Sequence, residues 1–134
     1  EMERKELVRN IFDIVFHKGT YQYSWVYYTE NGIKAIDLMK CVECGIDGFK
    51  LTTIALYCSK GRLVIGLHGY GVDDEDNEDC ITYHVCEDES DKYCDKLSMD
   101  VLENVYDIVN GIDMKSESWN YNCLMSKESG KIIL

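Results

Sequence analysis

Residues 51–68 read LTTIALYCSKGRLVIGLH, and this stretch decides the fold. Apolar residues recur at every second position on both sides of its SKGR segment: Ile54, Leu56 and Cys58 before it, and Leu63, Ile65 and Leu67 after it. A period of two is typical of strands that bury one face. Gly61 supplies a turn between them. The pattern predicts a β-hairpin at the centre of a sheet.

The residues before this hairpin predict a helix and two further strands. Glu3–His17 has apolar residues at helical spacing, and Lys18-Gly19 ends the pattern. Tyr21–Thr29 alternates aromatic and polar residues, as a strand does. The pair Asn31-Gly32 favours a type I′ hairpin turn, and a second strand is expected from Ile33 towards Leu38.

Glycines mark two interruptions of the strand pattern. Gly45 and Gly48 predict a turn or bulge within residues 41–48. Glycines at 66, 69 and 71 predict that the chain loosens just before an acidic segment begins.

The second half of the chain predicts one more strand, a helix and a short hairpin. Cys80–Cys86 has the composition of a strand, and Ser98 is the expected N-cap of a helix that ends at Asn110-Gly111. Residues 119–125 alternate in polarity, and residues 132–134 are expected to return as an edge strand.

This order of elements predicts the α+β class. We expect residues 1–134 to form a single domain: an antiparallel curved sheet of about five to seven strands, with an N-terminal and a C-terminal helix packed on one face. The length of 134 residues is sufficient for one hydrophobic core.

Composition bears on location. No apolar run approaches the ~20 residues of a membrane span, and the N-terminus lacks the charged, apolar and small-residue order of a signal peptide. The expectation is a soluble, cytoplasmic protein.

Seven cysteines are present, an odd number that leaves at least one unpaired. In a reducing cytosol they would be buried apolar groups or metal ligands rather than disulfides. Cys41 and Cys44 have the spacing of a zinc knuckle, which would need two further ligands, either His84 with Cys86 or Cys80 with Cys94. The alternative is that Cys41 and Cys44 only pack as small apolar side chains, in which case no cofactor is expected.

Negative charge is concentrated in residues 73–95, DDEDNEDCITYHVCEDESDKYCD. This segment holds eleven carboxylates and one base, a formal charge of −10 within a chain of net charge −11. Such a field repels nucleic acid and anionic membranes and attracts a basic protein, such as a nuclease or another nucleic-acid-binding protein. The alternative is a pair of solvated loops. The candidate partner-binding residues are Asp73, Asp74, Glu75, Asp76, Glu78, Asp79, Glu87, Asp88, Glu89 and Asp91.

Two acidic clusters flank the Cys80–Cys86 strand, whose seven residues span roughly 20 Å. The clusters are therefore expected at opposite ends of the strand unless the loops fold back. A calcium loop is not indicated, because counting from Asp73 places Glu78 where an EF-hand has glycine and His84 where it has glutamate.

Catalytic chemistry finds little support in the sequence. His84 and Cys86 share a strand face but would lie about 7 Å apart, too far for direct activation of the thiol. Their surroundings are strongly negative, whereas a reactive cysteine needs a positive setting. We therefore expect a protein that is not an enzyme.

The segment from Ile81 to Ile108, with Leu97-Ser98 opening its helix, resembles small acidic accessory proteins of phages and mobile elements of gut bacteria. In those proteins a strand and an acidic loop lead into a short terminal helix, and some are anti-CRISPR inhibitors that mimic nucleic acid. The resemblance covers about a quarter of the chain and assigns no functional residue.

The leading hypothesis is thus a non-enzymatic acidic binding protein that engages a basic protein surface, in its narrower form a phage anti-defence inhibitor. One alternative is a small zinc-stabilised module using Cys41 and Cys44. A further alternative is an uncharacterised enzyme, recognisable by a pocket that holds His68 or His84 beside a carboxylate or thiol.

Overall fold

The computed structural model describes residues 2–15, 33–72, 75 and 78–111, together with three two-residue strands nearer the C-terminus. Its elements in chain order are α1 (Arg4–Asp13), β1 (Ile33–Val42), β2 (Phe49–Ser59), β3 (Arg62–Val72), β4 (Glu78–Cys86), α2 (Met99–Asn110), β5 (Trp119–Asn120), β6 (Leu124–Met125) and β7 (Ile132–Ile133). The predicted α+β class is confirmed.

Five of the strands form one antiparallel sheet in the order β4-β3-β2-β1-β5, and β6 pairs with β7 separately. The hairpin of residues 51–68 is indeed central. Ser59 pairs with Arg62, and the two residues between them, Lys60 and Gly61, both have positive φ, at 50° and 78°. This is the backbone of a tight hairpin turn whose twist matches that of the strands.

The two faces of the sheet have different coverings. One face joins both helices in the main core, whose fully buried side chains include Phe12, Ile54, Leu56, Ile65 and Leu102. The other face carries a smaller cluster of Ala35, Ala55, Tyr57, Val64 and Cys86, against which Cys94 packs. The helices thus lie on one face, as the sequence predicts.

The helix bounds follow the sequence closely. The helix predicted over Glu3–His17 is observed as Arg4–Asp13, with the buried residues Ile14 and Val15 continuing past it. Ser98 occupies the N-cap of α2 in an extended conformation, but its hydroxyl makes no capping hydrogen bond. At the other end, the Gly111 N–H donates to the Asp107 carbonyl at 3.0 Å, which confirms the predicted stop.

The glycines at 66, 69 and 71 do not loosen the chain, so this expectation is wrong. All three lie within β3, which stays paired with β2 and β4. Gly69 faces the bulge where the β2 register shifts between Leu51 and Thr53, and a Cβ at Gly69 would collide with the backbone carbonyl of Lys50. Close approach of two backbones, rather than flexibility, requires glycine there.

Some sequence predictions lie outside the described residues. These are the end of the first helix at Lys18-Gly19, the strand Tyr21–Thr29 and its Asn31-Gly32 turn. Of residues 132–134, expected to return as an edge strand, Ile132–Ile133 form β7, which pairs with β6, and Leu134 lies outside the described residues. Neither α1 nor α2, the helices the structure describes, has the length and apolar character needed to cross a membrane.

Gly69→Ala should destabilise the protein by about 1–3 kcal/mol, because the added methyl group meets backbone that cannot move aside. Gly66→Ala is the matched control, since its Cβ would meet only the His68 ring, at 3.1 Å, and the Ala55 side chain. Urea unfolding followed by circular dichroism measures both. Equal midpoints for Gly69→Ala and the parent protein would contradict the close-approach explanation.

Candidate protein interaction surface

The acidic residues lie at one edge of the sheet. β4 pairs with β3 on one side, and its first residues, Glu78, Asp79 and Cys80, are exposed. The chain then continues from Cys86 into residues 87–95, here called the return loop. We name residues 78–95 the acidic edge.

The return loop folds back along β4 instead of extending beyond it. The His84 N–H donates to Asp95 Oδ2 at 2.7 Å, and the Asp95 N–H donates to the His84 carbonyl at 2.8 Å. Asp95 therefore occupies the position that a neighbouring strand would take beside His84. This brings the second acidic cluster back towards the middle of the strand and covers part of an otherwise open edge.

Carboxylates of the return loop hold its turns together. Asp88 Oδ1 accepts hydrogen bonds from the Ser90 N–H at 2.9 Å and from the Ser90 hydroxyl at 2.8 Å. These bonds, the backbone one first, hold the pKa of Asp88 below its ordinary value. Asp91 Oδ1 accepts from the Tyr93 N–H at 2.9 Å in the same manner.

Three arginines from distant parts of the chain pair with the loop. Arg4 lies 3.6 Å from Glu89, Arg9 lies 3.2 Å from Glu87, and Arg62 lies 2.8 Å from Asp91. The last pair is the closest, and its two side chains are 30% and 21% exposed. These pairs lower the net charge that the loop presents to a partner, which counting residues in the sequence did not anticipate.

The remaining predicted partner-binding residues differ in their surroundings. Glu78 and Asp79 are exposed on β4 and have no ion pair with any residue the structure describes, whereas Asp88 is exposed and holds its turn. Glu75 is exposed. Asp73, Asp74 and Asp76 lie outside the described residues.

An additional set of carboxylates was missed by the sequence reasoning. Asp100, Glu103 and Asp107 are exposed on α2, and their spacing of three and four residues places them on one side of the helix. α2 contains no basic residue. The signal in the sequence is the spacing of these acids at three and four residues within a helical pattern that contains no base.

The cysteines do not all remain thiols as expected. Cys86 and Cys94 form a disulfide across eight positions of sequence, with their Cα atoms 5.8 Å apart. The turns of the return loop explain the pairing, because they carry Cys94 back over the end of β4. Cys41, Cys44 and Cys80 are free thiols, and Cys123 lies outside the described residues.

The zinc site predicted at Cys41 and Cys44 stays a prediction. Cys41 is exposed on β1, while Cys44 is buried, and burial raises the pKa of its thiol. Two of the further ligands proposed for this site, Cys86 and Cys94, are bonded to each other. Within the described ranges, the metal-ligating side chains that do come together are Cys86, Asp91 and Cys94.

The two histidines on the second face of the sheet lie close together. His68 Nδ1 is 2.9 Å from the Thr82 hydroxyl, and its buried Nε2 has no hydrogen-bond partner among the residues that the structure describes. Burial, and then the nearby His84, lower the pKa of His68. Burial also lowers the pKa of His84, although Asp95 opposes that effect. Both rings are therefore held towards the neutral form.

A shallow groove of about 640 Å³ lies beside the return loop. Its lining consists of Glu3, Arg4, Lys5, Glu87, Asp88, Glu89 and Met99, and it includes neither histidine nor cysteine. The groove therefore does not bring His68 or His84 into a concave site beside a carboxylate or thiol. The expectation that the chain is not an enzyme stays a prediction.

No protein-family model, curated protein or solved structure matches this chain. The resemblance of residues 81–108 to phage accessory proteins thus stays a prediction.

Stability should fall as the pH decreases below the ordinary histidine value of 6.5, because the lowered histidine pKa values make the unfolded chain the better proton acceptor there. The folded-state value lies below the ordinary 6.5, so stability is complete above 6.5 and is lost as the pH falls towards the folded value. Carboxyl groups with lowered pKa act only in more acidic solution, below about 4.5. Urea unfolding at several pH values measures the slope.

His68→Asn is the comparison variant, since it keeps a polar group near Thr82 and removes one titrating ring. Its stability should depend less steeply on pH over the same window. An unchanged slope would show that His68 does not carry the effect.

Proposed function

We propose that this chain is a non-enzymatic binding protein whose acidic edge engages a basic surface on another protein. The observation that carries the proposal is the pair of exposed carboxylates, Glu78 and Asp79, at the start of the sheet's edge strand. Among the described residues neither has an ion-pair partner, whereas the arginines nearest the return loop are already paired. The negative charge of Glu78 and Asp79 is therefore available to a partner.

The geometry suits an elongated cationic groove. Asp79 lies near the start of β4 and the exposed Asp88 follows its end, and the nine residues of this strand span roughly 30 Å when extended. DNA presents a charge about every 1.7 Å of its axis, so a groove built for phosphates carries arginines and lysines over a comparable length. Attraction between such surfaces raises the association rate more reliably than the affinity.

The narrower form of the proposal is that the partner is a nuclease or another nucleic-acid-binding protein. The chain would then be an anti-defence inhibitor of phage or mobile-element origin that competes with nucleic acid by mimicking its charge. Its support is the charge of −10 in residues 73–95 and the resemblance of residues 81–108 to anti-CRISPR-like accessory proteins.

The backbone of β4 offers a second means of attachment. His84 turns both its N–H and its carbonyl away from β3, towards Asp95. Because these groups alternate along a strand, those of Thr82 and Cys80 point to the same outer side. No strand in the described part of the chain pairs with that side of β4. A partner segment could add there as a further strand while its basic side chains meet Glu78 and Asp79.

The double variant Glu78→Gln/Asp79→Asn tests the proposal. The wild-type chain is immobilised, proteins captured from host lysate at low salt are identified by mass spectrometry, and one basic nucleic-acid-binding protein among them is purified. Its affinity for the double variant should be about 2- to 30-fold weaker, since each exposed charge pair contributes about 0.2–1 kcal/mol. Biolayer interferometry at two salt concentrations measures this, and salt should weaken wild-type binding more than it weakens the variant's.

Glu6→Gln/Asp47→Asn is the matched control, because it removes the same charge from two exposed positions outside both the acidic edge and α2. The control should bind within about twofold of wild type. Competition with an oligonucleotide examines the narrower form. If the partner bound the two double variants with equal affinity, the acidic edge would not be the binding surface. If the partner bound this chain and the oligonucleotide at the same time, only the narrower proposal of nucleic-acid mimicry would be wrong.

A further inference from the structure

Three metal-ligating side chains converge where the return loop meets the end of β4. One donor atom from each of Cys86, Asp91 and Cys94, two sulfurs and a carboxylate oxygen, lies within 4.8 Å of the others. Cys86 is buried, and the other two are partly buried. The three side chains lie within the acidic edge, but they are distinct from Glu78 and Asp79, which carry the proposed function, and the site does not depend on those two residues.

The surroundings of this group keep its carboxylate in place. Arg62 Nε forms an ion pair with Asp91 Oδ2 at 2.8 Å, and the Arg62 guanidinium lies over the Tyr93 ring, 5.2 Å from its centroid. The Tyr93 hydroxyl lies 3.1 Å from that of Tyr57, a residue of the small core on this face. Outer partners of this kind orient metal ligands and are as much part of such a site as the ligands.

The backbone of the loop joins two of the three ligands directly. The Cys94 N–H donates to the Asp91 carbonyl at 3.1 Å, closing a tight turn. The spacing Asp91-x-x-Cys94 is that of a zinc knuckle in which a carboxylate replaces one thiolate. Asp91 Oδ1 accepts one hydrogen bond from the Tyr93 N–H, Oδ2 pairs with Arg62, and each oxygen retains a lone pair.

Reduction converts the disulfide into two ligands. A dithiol or glutathione-type thiol supplies two electrons to the Cys86–Cys94 bond, the bond breaks, and the reductant is itself oxidised to a disulfide. Each sulfur takes up a proton and releases it again when it binds a cation. Two thiolates on one tetrahedral zinc ion lie about 3.8 Å apart, so the two sulfurs, bonded to each other in the oxidised chain, move apart to bind it, and the Asp91 oxygen lies within 4.8 Å of both.

We propose that the reduced protein binds a zinc-type divalent cation through Cys86, Cys94 and Asp91, with water in the fourth position. Thiolate and carboxylate together match the preference of zinc, and the acids of the return loop raise the local concentration of cations. The disulfide and the metal ion are then alternative cross-links of the return loop. One holds it under oxidising conditions and the other under reducing conditions.

Zinc binding by the full chain in its two redox states tests the proposal. Protein reduced with a phosphine, and a parallel oxidised sample, are titrated with zinc against a chromophoric chelator. The reduced sample should take up one equivalent, and the oxidised sample less than about a tenth of that. Cobalt in place of zinc should give a thiolate-to-metal charge-transfer band in the reduced sample alone.

Variants assign the ligands. The reduced Cys86→Ser/Cys94→Ser variant should no longer bind the equivalent of zinc, whereas the reduced Cys41→Ser/Cys44→Ser variant should still bind it. Asp91→Asn should weaken zinc binding at least tenfold, and its control Asp88→Asn, in the same loop but outside the ligand group, should stay within about twofold.

A measurement on the unaltered chain covers the case in which a cysteine variant fails to fold. Alkylation of the reduced protein, mapped by peptide mass, should be slowed by zinc at Cys86 and Cys94. Absence of zinc uptake by the reduced protein would overturn the proposal. Protection of Cys41 and Cys44 in their place would also overturn it, and would support the knuckle predicted from sequence.

Discussion

Burial of one face of the central hairpin is the constraint on which the rest of the structure depends. Ile54 and Leu56 on β2, and Ile65 and Leu67 on β3, are fully buried beneath the two helices. Each such side chain contributes about 1.5–3 kcal/mol when it leaves water. A sheet so covered has no room for charge at its centre, because a buried charge without a partner is costly. The acidic segment is therefore placed at the edge, where β4 and the return loop remain in contact with water.

Some of the carboxylates at this edge stabilise the fold of the return loop itself. Two carboxylates about 7 Å apart repel each other by about 0.6 kcal/mol even in water, so a loop this rich in acids opposes its own compaction. The chain offsets that repulsion in two ways. Asp88 and Asp95 accept backbone hydrogen bonds, and the three arginines neutralise Glu87, Glu89 and Asp91. What remains for recognition is a smaller set of carboxylates than composition alone indicates.

Much of the fold could be predicted from local patterns, and much of the site could not. The hairpin, β4 and α2 follow from periods of two and of about 3.6, because each of these elements buries one face. The continuation of β3 through Gly69 depends on how closely the Lys50 carbonyl approaches, and that distance is fixed only in the folded chain. The pairing of Arg9 with Glu87, across 78 positions of sequence, is also fixed only in the folded chain. So is the disulfide partner of Cys86, for which the sequence alone offers six possible cysteines.

The ion pairs and the disulfide that hold the return loop respond differently to salt. Ion pairs such as Arg9–Glu87 weaken as salt rises, since exposed charges are screened within about 10 Å at 0.1 M. The covalent link between Cys86 and Cys94 does not respond to salt. In the oxidised protein the disulfide therefore still closes the loop when salt is added, and a loss of the proposed partner binding would reflect screening of the docking step itself. With the sulfurs reduced and no cation between them, the same salt would act on the loop as well as on the partner. The chemical state of this one sulfur pair thus determines whether salt dependence reports on recognition alone or on recognition together with the shape of the surface.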